Sequence, residues 1–399
     1  MKIKAVCYVH GYDFNCALDA VRLDFDQVIT PLDTTLFTVT EKKQITDFSK
    51  VPDFPVTVQQ FARKVEKVCY VDDDNHEQKE PGTAVMLKLK VDPDTGVPLL
   101  FNFHTFLNTW SDPYEIKITY KDQFAVTCTK DDVVTASDDW SLSGFTAKDG
   151  VHYSYAHYEP EGGSENLVVW LHGIGEGGTV LTDARIPLLA NKADVLKREA
   201  FQNTIGKANV LVPQCPTFWM DNKGDGSNLN GGRIVADGTS FYLASLVELI
   251  QKYKEETGSR KVVIAGCSNG GYMTMLLAMK YPDAFDGYVP VCEAMPDKYI
   301  TDLDVEKLKT KKMYFVYAKD DQTVDPSLHE EPLLERLHGS KNIHVSVTDH
   351  VIDLTGQFFI TGTDKPYQYN GHWSWIRFFN NECDAKGLKA WDFIKDCFK

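Results

Sequence analysis

Short apolar runs that alternate with polar residues, or that are rich in β-branched side chains, fill the first third of the chain. They predict strands at Val6–Val9, Ala20–Phe25, Leu36–Val39, Val65–Val71, Ala84–Val91, Tyr114–Tyr120 and Ala125–Cys128. Turn-forming residues, such as the Asp-Pro-Asp-Thr-Gly sequence at 92–96, separate these runs. About seven short strands without a long helical pattern are typical of an all-β sandwich.

The pattern changes after the polar and acidic stretch Asp131–Trp140, which is the candidate linker. Beyond it, apolar runs alternate with segments of helical period, such as 240–253 and 333–337. The apolar runs predict strands at Leu167–Leu171, Asn209–Val212, Val262–Ile264, Tyr288–Val291, Met313–Tyr317 and His344–Val347. Such alternation is typical of a mostly parallel, doubly wound sheet.

The length of 399 residues is more than one hydrophobic core usually supports, so we expect two domains. Residues 1–130 are predicted to form an immunoglobulin-like β-sandwich, and residues 131–399 an α/β domain. The chemistry is expected in the second domain, because its loops carry the motifs that follow.

One strand–turn–helix stretch gives the clearest chemical signal. Val262–Ile264 predict a buried strand, and the apolar run Tyr272–Tyr281 predicts a buried helix. Between them, 266–270 reads Gly-Cys-Ser-Asn-Gly, the G-x-S-x-G pattern of a nucleophile elbow. The turn holds the Ser268 hydroxyl at its apex, and the glycines let strand and helix approach. Cys267 lies off the apex and is interpreted as a buried small hydrophobe.

A nucleophilic serine needs a base, and the base needs an acid that orients it. In elbow enzymes the acid follows the serine along the chain, just past a later strand. Asp321 is the favoured acid, and Asp320 and Asp325 are the alternatives. All three aspartates also suit an ordinary turn or helix cap.

His372 is the favoured base, because it lies on a loop beyond the last strand and can reach over the sheet edge. His350 is the alternative. The other histidines after the acid are predicted inside a helix or strand, and they are His329, His338 and His344.

Two backbone N–H groups are candidates for an oxyanion hole. One belongs to Asn269, the residue after the serine, and the other to Ile174 in the glycine-rich loop 172–178. A phosphate-binding loop is rejected, since the Gly-Lys-Ser/Thr ending is missing and Glu176 would repel phosphate. A calcium loop at 221–226 is rejected on its ligand positions.

Four residues near these loops are candidates for substrate binding. They are Trp219, Tyr272, Trp373 and Glu176. The three aromatic side chains suit an apolar acyl or aromatic pocket, and packing in the core is the alternative.

The net charge and the cysteine pattern limit which cellular compartments and which binding partners are expected. With 42 Lys+Arg against 57 Asp+Glu, the net charge of −15 argues against nucleic acid or an anionic membrane as partner. Nine scattered cysteines without a C-x-x-C pair favour reduced thiols over a zinc site or a disulfide framework, with a Cys383–Cys397 bond as the alternative. We expect a cytoplasmic protein, the alternative being a secreted one without its leader. Homo-oligomerisation stays open.

The motifs resemble those of the α/β-hydrolase superfamily. The resemblance covers residues 150–399 and rests on 171–178, 266–271, Asp321 and His372. The whole chain resembles bacterial carboxylesterases with an N-terminal immunoglobulin-like domain, which are also classed as prolyl-oligopeptidase-like hydrolases. The resemblance implies an α/β-hydrolase fold, and it implies that Ile174 supplies the first oxyanion N–H.

These residues predict a serine carboxylesterase that acts on a small-molecule ester through Ser268, His372 and Asp321, without a metal or an organic cofactor. A peptidase on short peptides is the rival, because the same triad serves both reactions. A binding protein on an inactive hydrolase scaffold is the alternative from another class.

Overall fold

The computed structural model describes residues 1–47, 49–50, 53–93, 95–103, 105–178, 183–227, 229–230 and 233–399, apart from the side chains of 229, 230 and 233. Contacts divide the chain into two compact units, Met1–Asp139 and Trp140–Lys399. The boundary expected at residue 130 stays a prediction about separately folding domains.

The first unit is all-β, as predicted. Its strands are β1 (Ile3–Tyr12), β2 (Asn15–Phe25), β3 (Phe37–Thr46), β4 (Val56–Arg63), β5 (Val65–Val71), β6 (Glu77–Gln78), β7 (Ala84–Leu89), β8 (Leu99–Asn102), β9 (Leu107–Trp110), β10 (Glu115–Tyr120), β11 (Phe124–Thr129) and β12 (Val133–Thr135). They form a six-stranded sheet ordered β12-β1-β2-β7-β5-β6, a four-stranded sheet ordered β11-β10-β3-β4 and the hairpin β8-β9. Each predicted strand overlaps one of these elements, and the predictions at Leu36–Val39, Ala84–Val91 and Tyr114–Tyr120 extend one or two residues beyond the observed strand. The immunoglobulin-like topology stays a prediction.

A buried ion pair lies in the core of the first unit. Arg63 donates to Glu41 Oε2 over 2.8 Å, and the two side chains are only 2% and 1% exposed. Arg63 also donates to the carbonyl oxygens of Leu18 and Lys90 over 2.8 and 2.9 Å. The guanidinium therefore joins three strands through bonds that replace its lost hydration.

The prediction of a linker at Asp131–Trp140 is partly wrong, because part of this stretch is a strand. Val133 and Val134 pair in parallel register with Cys7 and Tyr8, so β12 extends the six-stranded sheet. Two consecutive β-branched residues suit an edge strand, whereas the acidic residues around them suggested a solvated connection.

The second unit alternates strands and helices. Its strands are β13 (Ser141–Thr146), β14 (His152–Tyr158), β15 (Asn166–Leu171), β16 (Asn209–Gln214), β17 (Leu229–Asn230), β18 (Arg233–Ile234), β19 (Lys261–Cys267), β20 (Gly287–Val291), β21 (Met313–Ala318), β22 (Ile343–Thr348), β23 (Asp384–Ala385) and β24 (Leu388–Lys389). Its helices are α1 (Ile186–Leu189), α2 (Glu199–Ile205), α3 (Leu243–Thr257), α4 (Asn269–Lys280), α5 (Asp302–Leu308), α6 (Glu330–Arg336), α7 (Trp375–Phe379) and α8 (Ala390–Cys397).

Eight of these strands form one sheet, ordered β13-β14-β16-β15-β19-β20-β21-β22. The pairs from β16 to β22 are parallel, and β14 is antiparallel to both of its neighbours. The predicted mostly parallel sheet is confirmed. Because parallel strands point the same way, the loops after β15, β19, β20 and β21 meet at one edge.

Aromatic packing fixes α7 on this sheet. Trp170 of β15 lies 5.4 Å from Phe378 and 4.6 Å from Phe379, measured between ring centroids, and all three are almost fully buried. Such contacts add to the free energy of burying the rings. Because His372 lies three residues before the start of α7, this packing also limits where its imidazole can lie.

All nine cysteines are free thiols, and eight of them are buried. Of the helices within the described ranges, none has the length and hydropathy of a transmembrane segment.

The buried ion pair of Arg63 and Glu41 should stabilise the folded chain. Glu41→Ala should lower the free energy of unfolding by about 3 kcal/mol, because it leaves the Arg63 charge buried without its counter-ion. The measurement is chemical denaturation of the purified chain. Glu77→Ala is the matched control, because it removes the partner of Lys67 in a pair that is 55% and 58% exposed. The control should leave the midpoint unchanged, and an equal loss in both variants would contradict the prediction.

Candidate active site

Ser268 occupies the sharp turn between β19 and α4, with φ 54° and ψ −114°. This left-handed backbone is strained for a residue with a side chain, so neighbouring contacts must hold it. The Ser268 N–H donates to the Val291 carbonyl oxygen over 2.8 Å, and its own carbonyl accepts from the Ala294 N–H over 3.3 Å. The last residue of β20 and the segment that follows it thus hold the serine backbone from both sides.

The glycines around the serine are required by space. A Cβ on Gly270 would lie 2.0 Å from the Leu171 carbonyl oxygen, and one on Gly266 would lie 2.6 Å from the Gly270 carbonyl oxygen. Neither position has room for a side chain. The reason inferred for the G-x-S-x-G pattern is therefore visible in the contact of α4 with β15.

The structure brings Ser268, His372 and Asp321 together in one chain of hydrogen bonds. His372 Nε2 lies 2.9 Å from Ser268 Oγ, and His372 Nδ1 lies 2.7 Å from Asp321 Oδ2. The imidazole is 10% exposed and the carboxylate 1% exposed. A carboxylate accepts hydrogen bonds, so Nδ1 carries the proton and Nε2 is free to accept from the serine hydroxyl.

Asp321 is fixed by its own turn. Its Oδ1 accepts from the backbone N–H groups of Thr323 and Val324 over 2.8 and 2.9 Å. The His372 N–H in turn donates to Asn370 Oδ1 over 2.9 Å, which fixes the loop before the imidazole. The Asp321 carboxylate and the His372 imidazole are therefore held independently of each other.

The alternative acid and base form a separate pair. His350 Nδ1 lies 2.7 Å from Asp320 Oδ2, and the two side chains are 56% and 27% exposed. Asp325 accepts from the backbone and hydroxyl of Ser327. These residues therefore belong to turns and to the surface.

The helix expected around two other histidines is shorter than predicted. The structure has α6 at Glu330–Arg336, so His329 precedes it and His338 follows it.

His172 orients the first candidate oxyanion donor, a role that the sequence analysis missed. Its Nε2 accepts from the Cys215 N–H over 2.9 Å, so its Nδ1 donates to the Gly173 carbonyl oxygen over 2.5 Å. In a trans peptide the carbonyl and the next N–H point in opposite directions, so the Ile174 N–H points away from His172. Complete burial lowers the pKa of His172 to about 4, which keeps the ring neutral.

The second candidate donor begins α4. The Asn269 N–H belongs to the first helical turn, where backbone N–H groups lack intrahelical acceptors. The helix dipole adds partial positive charge at this end. The Asn269 side chain accepts from the Trp219 N–H over 2.5 Å and so ties the elbow to the loop after β16.

The structure separates the four substrate-binding candidates. Trp219 and Tyr272 have no exposed surface. The Trp219 indole donates to the His172 carbonyl oxygen, and the Tyr272 hydroxyl donates to the Thr239 carbonyl oxygen. Both are therefore core aromatics, and the pocket role expected for them is not seen.

Trp373 and Glu176 differ from these two core residues. Trp373 is half-buried and packs against Tyr369 and Trp375, each 6.3 Å away between centroids. Glu176 is 3% exposed and lies beside the oxyanion turn, since a Cβ on Gly173 would meet its Oε2 at 3.1 Å.

Within the described ranges, no group of three or more His, Cys, Asp or Glu residues is arranged to hold a metal ion. The loop 221–226 is organised by protein contacts instead. The Asp221 carboxylate accepts from the backbone N–H groups of Lys223, Gly224 and Gly226.

Comparison with known proteins finds one family model that matches part of the second unit and several similar solved structures. Residues 213–302 match the family model described as "Serine aminopeptidase, S33". No curated protein sequence matches the chain.

Among solved structures, a thermostable esterase shares 21% sequence identity and superposes with a TM-score of 0.70, covering 95% of this chain and 96% of its own. An esterase of Pyrococcus furiosus shares 14% identity with a TM-score of 0.37 and covers 54% of this chain and 84% of its own. A ferulic acid esterase shares 13% identity with a TM-score of 0.42 and covers 65% of this chain and 98% of its own. The thermostable esterase, the one of these three with a TM-score above 0.5, shows the fold. The second unit has the α/β-hydrolase fold.

His172 should make the stability of the chain depend on pH. The folded state holds the imidazole neutral down to about pH 4, whereas an unfolded histidine has its usual pKa of 6.5. With respect to His172, the unfolded state therefore binds more protons between these values, and the contribution of this residue to stability should fall by about 3 kcal/mol as the pH drops from 6.5 to 4. His172→Gln should reduce this slope in denaturation curves measured at several pH values.

The exposed His338 offers the matched control for this measurement. His338→Gln should retain the wild-type slope, and an unchanged slope in His172→Gln would contradict the burial argument.

Proposed function

We propose that the chain is a serine hydrolase that cleaves carboxylic esters. The observation that carries the proposal is the hydrogen-bonded chain of Ser268, His372 and Asp321 on a strained elbow. The α/β-hydrolase fold supports it, because this fold presents such an elbow at the carboxyl edge of its sheet.

The distances support general-base catalysis. As Ser268 Oγ attacks the ester carbonyl, His372 Nε2 takes the hydroxyl proton across the 2.9 Å contact. The imidazolium that forms is stabilised by Asp321, which lies 2.7 Å from Nδ1. The Asn269 and Ile174 N–H groups stabilise the oxyanion of the tetrahedral intermediate.

Collapse of the intermediate expels the alcohol, which takes the proton from His372, and leaves an acyl group on Ser268. Water then attacks the acyl-enzyme with His372 again as the base, and the acid product leaves. The cycle needs no group other than these side chains and backbone N–H donors. The substrate is a small-molecule carboxylic ester.

The decisive variant is Ser268→Ala. It should lower kcat on short-chain p-nitrophenyl esters by at least about 10⁴-fold, because it removes the nucleophile. Ser143→Ala is the control, since Ser143 is an exposed residue of β13, and it should keep full activity. Labelling of the wild type by a fluorophosphonate, read by mass spectrometry, should disappear in Ser268→Ala alone. Equal turnover by both variants would contradict the proposal.

The choice of acid can be tested with two adjacent aspartates. Asp321→Asn should lower kcat by about 10⁴-fold, because an amide that donates to Nδ1 favours the wrong imidazole tautomer. Asp320→Asn changes the neighbour that pairs with the exposed His350, and it should retain most of the activity. A larger loss in Asp320→Asn than in Asp321→Asn would exclude Asp321 as the acid.

A second candidate is an aminopeptidase, which the family model matched by residues 213–302 favours. Such an enzyme must bind the free amino group of its substrate, and the buried Glu176 beside the oxyanion turn is the candidate acceptor. Turnover of amide substrates with free and with blocked amino termini distinguishes an aminopeptidase from an esterase. Ester turnover with negligible amide turnover supports the esterase, and amide cleavage that requires a free amino group supports the aminopeptidase.

A further inference from the structure

Two glutamates without a role in the proposed reaction are buried in the second unit. Glu293 lies just after β20 and Glu330 is the first residue of α6, and they are 0% and 1% exposed. Carboxylates are almost never fully buried unless a cation or several donors compensate the lost hydration. In the described part of the chain, no lysine or arginine compensates either group.

Each of these carboxyls has an oxygen without a hydrogen-bond partner. The Met295 N–H donates to Glu293 Oε2 over 2.6 Å. Among the described residues, however, Glu293 Oε1 and Glu330 Oε2 are buried and have no partner. A buried oxygen that lacks a donor costs about 1–3 kcal/mol, and more when it is charged.

The two groups also act on each other. Burial raises the pKa of Glu293 to about 8. Burial raises the pKa of Glu330 well above its usual value, and the charge of Glu293 raises it further. The two segments are also joined through their backbones, since the Asp297 N–H donates to the Leu328 carbonyl oxygen over 3.0 Å and so places the segment after β20 beside the residues just before α6. An ionised carboxyl can only accept, whereas a protonated one is also a donor, so a proton held by the pair gives an orphan oxygen a hydrogen to donate.

The other titratable groups that face the pair are Cys292, Asp297, Tyr317 and Asp321. None of them brings a positive charge. Arg336, on the same helix as Glu330, is bound to Asp297 and Asp302 over 2.7 and 3.0 Å. The surroundings therefore favour the protonated state.

The position of the pair relates it to the active site. Ala294, next to Glu293, donates to the Ser268 carbonyl oxygen. A Cβ on Gly271 would lie 2.7 Å from Glu293 Cα, so this segment also packs on α4. Glu330 begins the helix that follows the turn holding Asp321.

We propose that Glu293 and Glu330 share a proton and that this protonated pair joins the segment that holds Ser268 to the segment that holds Asp321. Both glutamates are positioning residues, since neither touches the reacting atoms. Loss of the proton puts a second negative charge in a dry interior beside Asp321, and repulsion then separates the two segments. The reaction becomes sensitive to alkaline pH through a contact outside the triad.

The stability of the chain depends on pH because the folded and unfolded states bind different numbers of protons. A glutamate in the unfolded chain has a pKa of 4.5, and the folded state raises that of Glu293 to about 8. The folded state thus binds more protons than the unfolded state within this window. The stability that the pair contributes is fully present below pH 4.5 and is lost as the pH rises towards 8.

The experiment compares wild type with Glu293→Gln between pH 7 and pH 9, above the window in which His172 changes the stability of the chain. The thermal midpoint of the wild type should fall as the pH rises, and that of the variant should fall less, because the glutamine amide is a permanent donor. On a p-nitrophenyl ester, kcat/KM of the wild type should fall about tenfold per pH unit above the pair's titration, and the variant should keep its activity over that range. The kinetic arm rests on the proposed function, whereas the thermal arm does not.

Glu331→Gln is the matched control, since Glu331 is the exposed neighbour of Glu330 on α6, and it should behave as wild type. An infrared spectrum at neutral pH should contain a protonated-carboxyl band that Glu293→Gln weakens. If Glu293→Gln does not fold, the same measurements on Glu330→Gln, together with the infrared spectrum of the wild type, test the proposal. Equal pH slopes in the wild type and the glutamine variant, or the absence of the protonated-carboxyl band, would overturn the proposal.

Discussion

The close approach of helix α4 to strand β15 is the contact on which the arrangement of the second unit depends. At Gly270 the helix backbone lies so near the Leu171 carbonyl that a Cβ would overlap it at 2.0 Å. This approach forces the chain to reverse within one residue, so Ser268 takes a positive φ of 54°. The strain is offset by the backbone bonds from the last residue of β20 and the segment that follows it to Ser268.

The same reversal decides the electrostatics around Ser268. Because α4 begins at Asn269, the helix N-terminus and its free N–H groups lie directly beside the hydroxyl. The Ile174 N–H, the other candidate donor, must be fixed separately, since a loop can rotate its peptide groups. The neutral imidazole of His172 does this by fixing the Gly173 carbonyl on one side and the Cys215 N–H on the other. Backbone groups held in this way need no reorganisation when charge develops.

The sequence is sufficient for those features that follow from local pattern. Alternating and β-branched runs predict strands well, because period and side-chain shape are local properties. The polar edge strand β4 has no such alternation and is missed; it reads Val-Thr-Val-Gln-Gln-Phe-Ala-Arg and is largely exposed. Ser268, Asp321 and His372, which the structure joins by hydrogen bonds, could be singled out because the proposed chemistry restricts both residue type and chain order.

Features that depend on tertiary packing were beyond the sequence. Trp219 and Tyr272 lie close to the motif loops along the chain, yet both face the core. The Glu293 carboxyl likewise has no local signal of burial, since a glutamate after a strand usually faces solvent. For His172, the adjacent glycines suggested a flexible loop, and only the position of Cys215 reveals what the imidazole holds.

Three carboxyl groups on neighbouring segments have different surroundings, and donors account for the difference. Asp321 receives two backbone N–H groups on one oxygen and the imidazole on the other, so its negative charge is compensated by hydrogen bonds. Glu293 receives one N–H group, and neither it nor Glu330 has a donor for its remaining buried oxygen. Burial alone therefore does not distinguish the three carboxyls. The number of donors aimed at each one does, and Asp321 has the most.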